Sequence, residues 1–174
     1  PEIEYALAQS ACSIGAYAFD GAANLLRVNL NNDLIEINEY AFSNCVNLLE
    51  LSLPQGLLRI KAFAFKNCHR LYSLTIPAQL EDFASTAIVD CSSMKLIYAD
   101  TNSDYIAEQG ALFDKDKKTL ISYPAAKNQP YTIPDSVIEI APYAFYGCSL
   151  SQITIPSDVQ TIGEYAFAGS KTLT

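Results

Sequence analysis

Residues 39–45 read EYAFSNC, and residues 62–68 read AFAFKNC. The same phrase stands at 16–21 as AYAFDG, at 142–148 as PYAFYGC and at 164–170 as EYAFAGS. A 174-residue chain that repeats one phrase five times is assembled from one unit. The Ala-Phe pair falls at Ala18-Phe19, Ala41-Phe42 and Ala64-Phe65, a period of 23, and the next step lands on Ala87-Ile88. A gap of 57 then leads to Ala144-Phe145, and a step of 22 to Ala166-Phe167. A fixed period of roughly 20–29 residues marks a leucine-rich solenoid, in which each repeat is one turn of the coil.

Other columns keep the same phase. One holds Ile14, Ile37, Ile60, Phe83, Ile140 and Ile162; a second holds Leu34, Leu57, Leu80, Val137 and Val159; a third holds Leu25, Leu48, Leu71, Met94 and Leu150. The pairs Val28 with Leu30, Leu51 with Leu53, Leu74 with Ile76 and Ile153 with Ile155 alternate with period two. That alternation predicts a short strand with one buried face. Pro54, Pro77, Pro134 and Pro156 follow at once and close the strand, because proline has no N–H for the ladder. Around the Ala-Phe pair the spacing of Ile37, Tyr40, Ala41 and Cys45 predicts one or two helical turns with Asn38 near the N-cap. Each repeat then runs strand, proline turn, short helical turn and back. No repeat buries its apolar side alone. Stacking places each Phe between equivalent side chains, and a buried Phe contributes about 1.5–3 kcal/mol.

The resulting pattern, L-x-x-L-x-I-P-x-x-L-x-x-I-x-x-x-A-F-x-x-C, runs from about Ile14 to the end. It resembles the BspA-type leucine-rich repeat of bacterial surface proteins. The resemblance implies an α/β horseshoe segment: a curved parallel sheet on the concave side and short helical turns on the convex side. It also implies a secreted or surface-anchored, adhesin-like role toward host proteins, and it supplies no catalytic residues. The whole chain, 1–174, reads as one leucine-rich repeat domain with about five rungs. Residues 1–13 form an N-terminal cap, 14–100 repeats, 101–130 an insert, and 131–174 repeats again, cut short at the end. The chain opens at Pro1 without Met or signal peptide and closes on SKTLT in mid-pattern, so a segment of a longer protein is expected.

The gap of 57 exceeds one period by 34 residues and contains ALFDKDKKTLISYP. Leu112-Phe113 and Leu120-Ile121 flank a charged turn, which predicts a β-hairpin. Hairpin inserts in the resembling family commonly carry Gly in the turn. Lys117 stands in that place here, so a looser turn without positive φ is expected. The insert is read as a surface hairpin that spaces two halves, with a binding role as the alternative. YTIP at 131–134 restores the register.

Eleven Lys and Arg against 19 Asp and Glu give a net charge of −8. That balance excludes nucleic acid, whose affinity rests on neutralised phosphates, and leaves no polybasic patch for an anionic membrane. No apolar run approaches the roughly 18 residues of a membrane span. Cys45, Cys68, Cys91 and Cys148 share a column, with Cys12 out of phase. A zinc site would need close pairs such as C-x2-C, and none exists, so the column reads as a buried ladder of free thiols with no metal. Cys68 faces the core and the single His69 faces solvent, so they make no catalytic pair. The DKDKK run at 114–118 lacks the Gly and distal Glu of a calcium loop. No nucleophile elbow, phosphate loop or metalloprotease motif is present, so neither catalytic residues nor a cofactor is expected.

The remaining candidate is the outward row of the strands: Arg27, Asn29, Glu50, Ser52, Ser73, Thr75, Leu96, Tyr98, Thr132, Gln152 and Thr154. The row is polar except for Leu96 and Tyr98. It reads as a broad protein-binding face with Tyr98 as anchor, since aromatic residues dominate interface energetics. The leading expectation is a monomeric, extracellular or cell-surface segment that binds a host surface or matrix protein. A passive stalk carrying another module is the alternative. A carbohydrate-binding module ranks lower, because it would need more exposed aromatics than this face offers.

Overall fold

A computed structural model describes residues 3–6, 10–99, 102 and 104–173. The predicted cap and the start of the insert lie partly outside the described residues. The chain winds into a solenoid of about six turns. One wall carries strands β1 (Ile3–Ala6), β3 (Leu25–Asn29), β5 (Glu50–Leu51), β7 (Ser73–Thr75), β9 (Leu96–Tyr98), β13 (Tyr131–Thr132) and β15 (Ile153–Thr154). A second wall, at the isoleucine column, carries β2 (Ser13–Ile14), β4 (Glu36–Ile37), β6 (Arg59–Ile60), β8 (Asp82–Phe83), β14 (Glu139–Ile140) and β16 (Thr161–Ile162). Rung-to-rung pairing is parallel and in register, with Ile14 on Ile37, Ile37 on Ile60 and Ile60 on Phe83. The columns read from the sequence are therefore the vertical lines of the stack.

The Ala-Phe phrase is not helical. Ala41 N donates to Asn38 O (3.2 Å), Ser43 N to Tyr40 O (3.0 Å) and Cys45 N to Phe42 O (3.3 Å). The alternate amides point along the stack instead: Tyr40 N reaches Ala62 O (3.2 Å), Phe42 N reaches Ala64 O (2.8 Å) and Asn44 N reaches Lys66 O (2.8 Å). A helix would send every N–H four residues back; here half of them bind the next rung. That geometry needs left-handed residues at the third position of the turns, and Tyr40 (φ 58°) and Asn44 (φ 58°) occupy those places. Asn38 is not an N-cap, and its side chain donates to Ile14 O of the preceding rung (2.9 Å). The arc is thus a series of β-turns welded to its neighbour, which satisfies backbone groups that a lone short helix would leave open.

Packing follows from this ladder. Phe42 and Phe65 are fully buried, with rings stacked 5.6 Å apart and only 8° from parallel. Phe19 stacks on Phe42 at 5.0 Å and Phe167 on Phe145 at 5.1 Å. The cysteine column has a role that its size alone did not announce. Cys45, Cys68 and Cys91 each direct Sγ at the carbonyl of the Phe column one rung back, at 3.2, 3.3 and 3.2 Å. Ser170 does the same with Oγ to Phe145 O at 2.8 Å, so Cys and Ser interchange as donors.

The insert is a three-stranded meander whose second and third strands are largely buried. Strand β10 (Tyr105–Glu108) pairs antiparallel with β11 (Ala111–Asp114), which pairs antiparallel with β12 (Thr119–Ser122). The β11–β12 hairpin falls where the two apolar runs predicted it. Lys117 takes positive φ (52°) after all, closing the turn to Asp114 O at 3.0 Å. Asp114 Oδ1 fixes that turn by accepting from Lys118 N (2.7 Å) and Thr119 N (2.9 Å). Strand β10 was not expected; it joins β11 through Gln109 (φ 50°) and Gly110 (φ 81°), a two-residue turn with both centres left-handed.

Leu112 and Ile121 face one apolar core and Phe113 and Leu120 the other, so the hairpin is a septum between two cores and not a surface spacer. Strand β12 also continues the second wall by pairing Leu120 with Ile140. Tyr123 then fills the Phe column, its ring 5.0 Å from Phe145 and its N–H on Ala144 O at 2.7 Å. The insert therefore contributes a rung of its own. At its start, Tyr105 Oη accepts from Phe83 N (2.9 Å) and donates to Glu81 O (3.0 Å), finishing the edge of the first half.

Candidate functional site

The strand wall presents the predicted row in two lines. Arg27 lies beside Glu50, and Ser73 beside Leu96; Thr75 lies beside Tyr98 in the second line. Arg27, Asn29, Glu50, Ser52, Thr75, Thr132, Gln152 and Thr154 are exposed, while Ser73 and Leu96 are half-buried. Tyr98 is 41% exposed. Arg27 holds Glu50 through two bonds, Nε–Oε2 at 3.0 Å and Nη2–Oε1 at 3.2 Å. An exposed pair of this kind contributes about 0–1 kcal/mol, so it orders the surface more than it stabilises the fold.

The strands do not form one unbroken sheet. They fall into ladders β1-β3-β5, β7-β9 and β13-β15. The tip of the insert closes the second ladder, where Ile97 N donates to Gly110 O at 3.1 Å. A Cβ at Gly110 would lie 3.3 Å from Lys95 O and 3.5 Å from the Leu96 side chain. Gly110 thus packs on Leu96 and half-covers it, leaving Tyr98 as the exposed aromatic of the pair. Thr132, Gln152 and Thr154 lie on the third ladder, beyond the insert.

The thiol column stands apart from this face. Burial pushes the Cys45 thiol up to about 11 and those of Cys91 and Cys148 up to about 12, and Cys68 lies well above its ordinary value for the same reason. Such thiols stay protonated near neutrality and are poor nucleophiles. Cys12 is exposed. His69 is exposed too, with Nδ1 3.1 Å from Asp90 O. Among the described residues no group of three His, Cys, Asp or Glu is placed to hold a metal ion. No helix among them is long and apolar enough to cross a membrane.

A second feature, an aromatic column, lies on the turn side. The residue before each Ala-Phe pair is aromatic: Tyr17, Tyr40, Phe63, Tyr143 and Tyr165. All five have φ between 55° and 60°. Tyr17 stacks on Tyr40 at 4.9 Å, Tyr40 on Phe63 at 5.1 Å, and Tyr143 lies 5.1 Å from Tyr165. The column keeps the period of the Ala-Phe pair beside it.

Parallel walls, rung-to-rung ladders and an inward Phe column define a leucine-rich repeat solenoid. The BspA type leucine-rich repeat region matches residues 4–119 and 122–174, in six copies, and the chain belongs to that family. A leucine-rich repeat protein from Eubacterium ventriosum superposes with a TM-score of 0.89 at 29% identity, covering 98% of this chain and 46% of that one. The pneumococcal vaccine antigen PcpA gives 0.80 at 25% identity, covering 98% and 49%. The Treponema pallidum leucine-rich repeat protein gives 0.61 at 25% identity, covering 98% and 64%. This chain thus spans about half the length of the first two structures. No curated protein matches the chain.

Proposed function

We propose that this chain is a protein-binding segment of an adhesin-like bacterial surface or secreted protein, without catalysis. Its partner is a host surface or matrix protein held on the strand face. The observation that carries this reading is Tyr98: an aromatic ring, 41% exposed, in a polar two-line surface beside the insert tip. Thr75 lies beside it in the ladder, and the half-buried pair of Ser73 and Leu96 lies two residues along, the arrangement of an anchor with a rim. Membership of the BspA-type family and the likeness to a pneumococcal antigen support an extracellular setting.

The test is affinity for a partner captured from host surface extract by the folded chain. Tyr98→Ala is expected to weaken binding by about 2 kcal/mol, roughly thirtyfold, with stability unchanged. Tyr17→Ala on the turn side is expected to leave it intact. Unchanged affinity in Tyr98→Ala would remove the anchor. Failure to capture any partner would favour a passive spacer.

A further inference from the structure

The aromatic column of the turn side is broken in the middle, and the break opens a groove. One period after Phe63 the column holds Thr86. In the insert rung it holds nothing, because Leu120 reaches Tyr123 in three residues where Ile37 reaches Phe42 in five. Two aromatic rings are thus missing between Phe63 and Tyr143, whose own rings lean together edge to face at 6.0 Å and 90°. The groove measures about 470 Å³ and is lined chiefly by Tyr40, Phe63, Tyr143, Tyr146, Tyr165 and Lys66. That volume lies in the range of small-ligand sites.

Its chemistry narrows the ligand. The backbone amides of Tyr40 and Tyr143 are already used on Ala62 O and Glu164 O of the next rung, so they cannot pair with a peptide main chain. The polar groups on offer are tyrosine hydroxyls and the Lys66 ammonium. Hydroxyls suit sugar hydroxyls as donors and acceptors, and aromatic rings suit the apolar faces of pyranoses. Lys66 lies 5.6 Å from the Phe63 ring centroid and meets no carboxylate among the described residues. Among the described residues no Asp or Glu lines the groove, in a chain of net charge −8, and Glu164 is the acid that acts on the Tyr143 hydroxyl from beside it. Lys66 is the one cation among the described lining residues, and it is complementary to an anion.

We propose that this groove binds an acidic saccharide, with a sugar face on the Tyr146 and Tyr165 rings, each of which has one ring neighbour among the described residues, and a sugar carboxylate on Lys66. The site is separate from the strand face and does not rest on the protein-binding reading. The test is calorimetric titration of the whole chain with two probes: a hyaluronan tetrasaccharide, which carries uronic carboxylates, and tetra-N-acetylchitotetraose, a neutral tetrasaccharide of N-acetylglucosamine. The acidic probe is expected to bind about tenfold more tightly than the neutral one. Lys66→Gln, a change at a half-exposed position, should bring it down to the neutral level. Tyr143→Asn, which keeps a residue tolerant of positive φ, should weaken both probes about tenfold, checked against an unchanged urea midpoint. Tyr17→Asn, outside the groove, should leave both unchanged. No heat with either probe at millimolar concentration would overturn the proposal. So would equal binding of the two probes, full binding by Lys66→Gln, or binding of a proline-rich peptide in place of both sugars.

Discussion

Replacing Phe65 by Ala tests whether the rungs act as one stack. The Phe65 ring is fully buried, lies 5.6 Å from Phe42 on one side, and sits over the rung of Ile88, which is itself buried. Its amide is tied to Ala87 O at 2.8 Å and its carbonyl takes the Cys91 thiol at 3.2 Å, so the backbone is held and cannot collapse freely into the void. A Phe→Ala change in so rigid a site costs about 3–5 kcal/mol. Phe167 makes the same stack on one side only, with Phe145 at 5.1 Å, and is half-buried. Its replacement by Ala removes a smaller burial and leaves a site that can relax, at a cost of about 1–2 kcal/mol. The assay is urea unfolding of both variants beside the parent chain, followed by far-ultraviolet circular dichroism. Equal losses would refute the stacked-array reasoning, because the two residues are chemically identical and differ only in their neighbours.

The buried thiols predict loss of stability in alkali. Their pKa values are raised by burial, so the folded state keeps protons that the unfolded state releases above its ordinary value of 9.0. Stability is complete below pH 9 and falls as pH rises toward 12. Cys91 and Cys148 together should cost about 3 kcal/mol between pH 8 and pH 10, with Cys68 acting in the same direction, read as a lower urea midpoint. A midpoint constant over that interval would contradict their burial. The asparagine ladder predicts a stabilising change. Asn44 Nδ2 donates to Asp20 Oδ1 (2.8 Å) and Asn67 Nδ2 to Asn44 Oδ1 (2.7 Å), but Asn67 Oδ1 is buried with no partner. The next residue in that column is Asp90, also at positive φ (63°), whose carboxylate has no proton to give. Asp90→Asn extends the ladder by one amide and should raise stability by about 1 kcal/mol, measured by urea titration. No gain would show that the column does not continue through residue 90.

The walls were legible because their signal is periodic and chemical at once. Ile14, Ile37 and Ile60 can share a line 23 residues apart only if the coil returns to the same place each time. The arc was misread because apolar spacing at Ile37, Tyr40, Ala41 and Cys45 fits a helix equally well. What decides against the helix is the direction of alternate N–H groups, and no side chain states that. Tyr40 at positive φ gives no local warning either, since Gly or Asn is the residue that advertises such a turn. The hairpin between β10 and β11 carries a sign in the sequence, Gly110 after Gln109 between apolar runs. The strand-face row followed from simple alternation. The half-burial of Leu96 did not, because it depends on where the tip of the insert lands, a contact between elements distant in mechanism though near in sequence.

The most direct test of the functional account is a hydrogen-exchange footprint of the chain with its captured partner. The account predicts slowed exchange along the strand face, at residues 27–29, 50–52, 73–75 and 96–98, with the arc at 40–44 unchanged. Protection confined to the arc, with the strands exchanging as in the free chain, would contradict it.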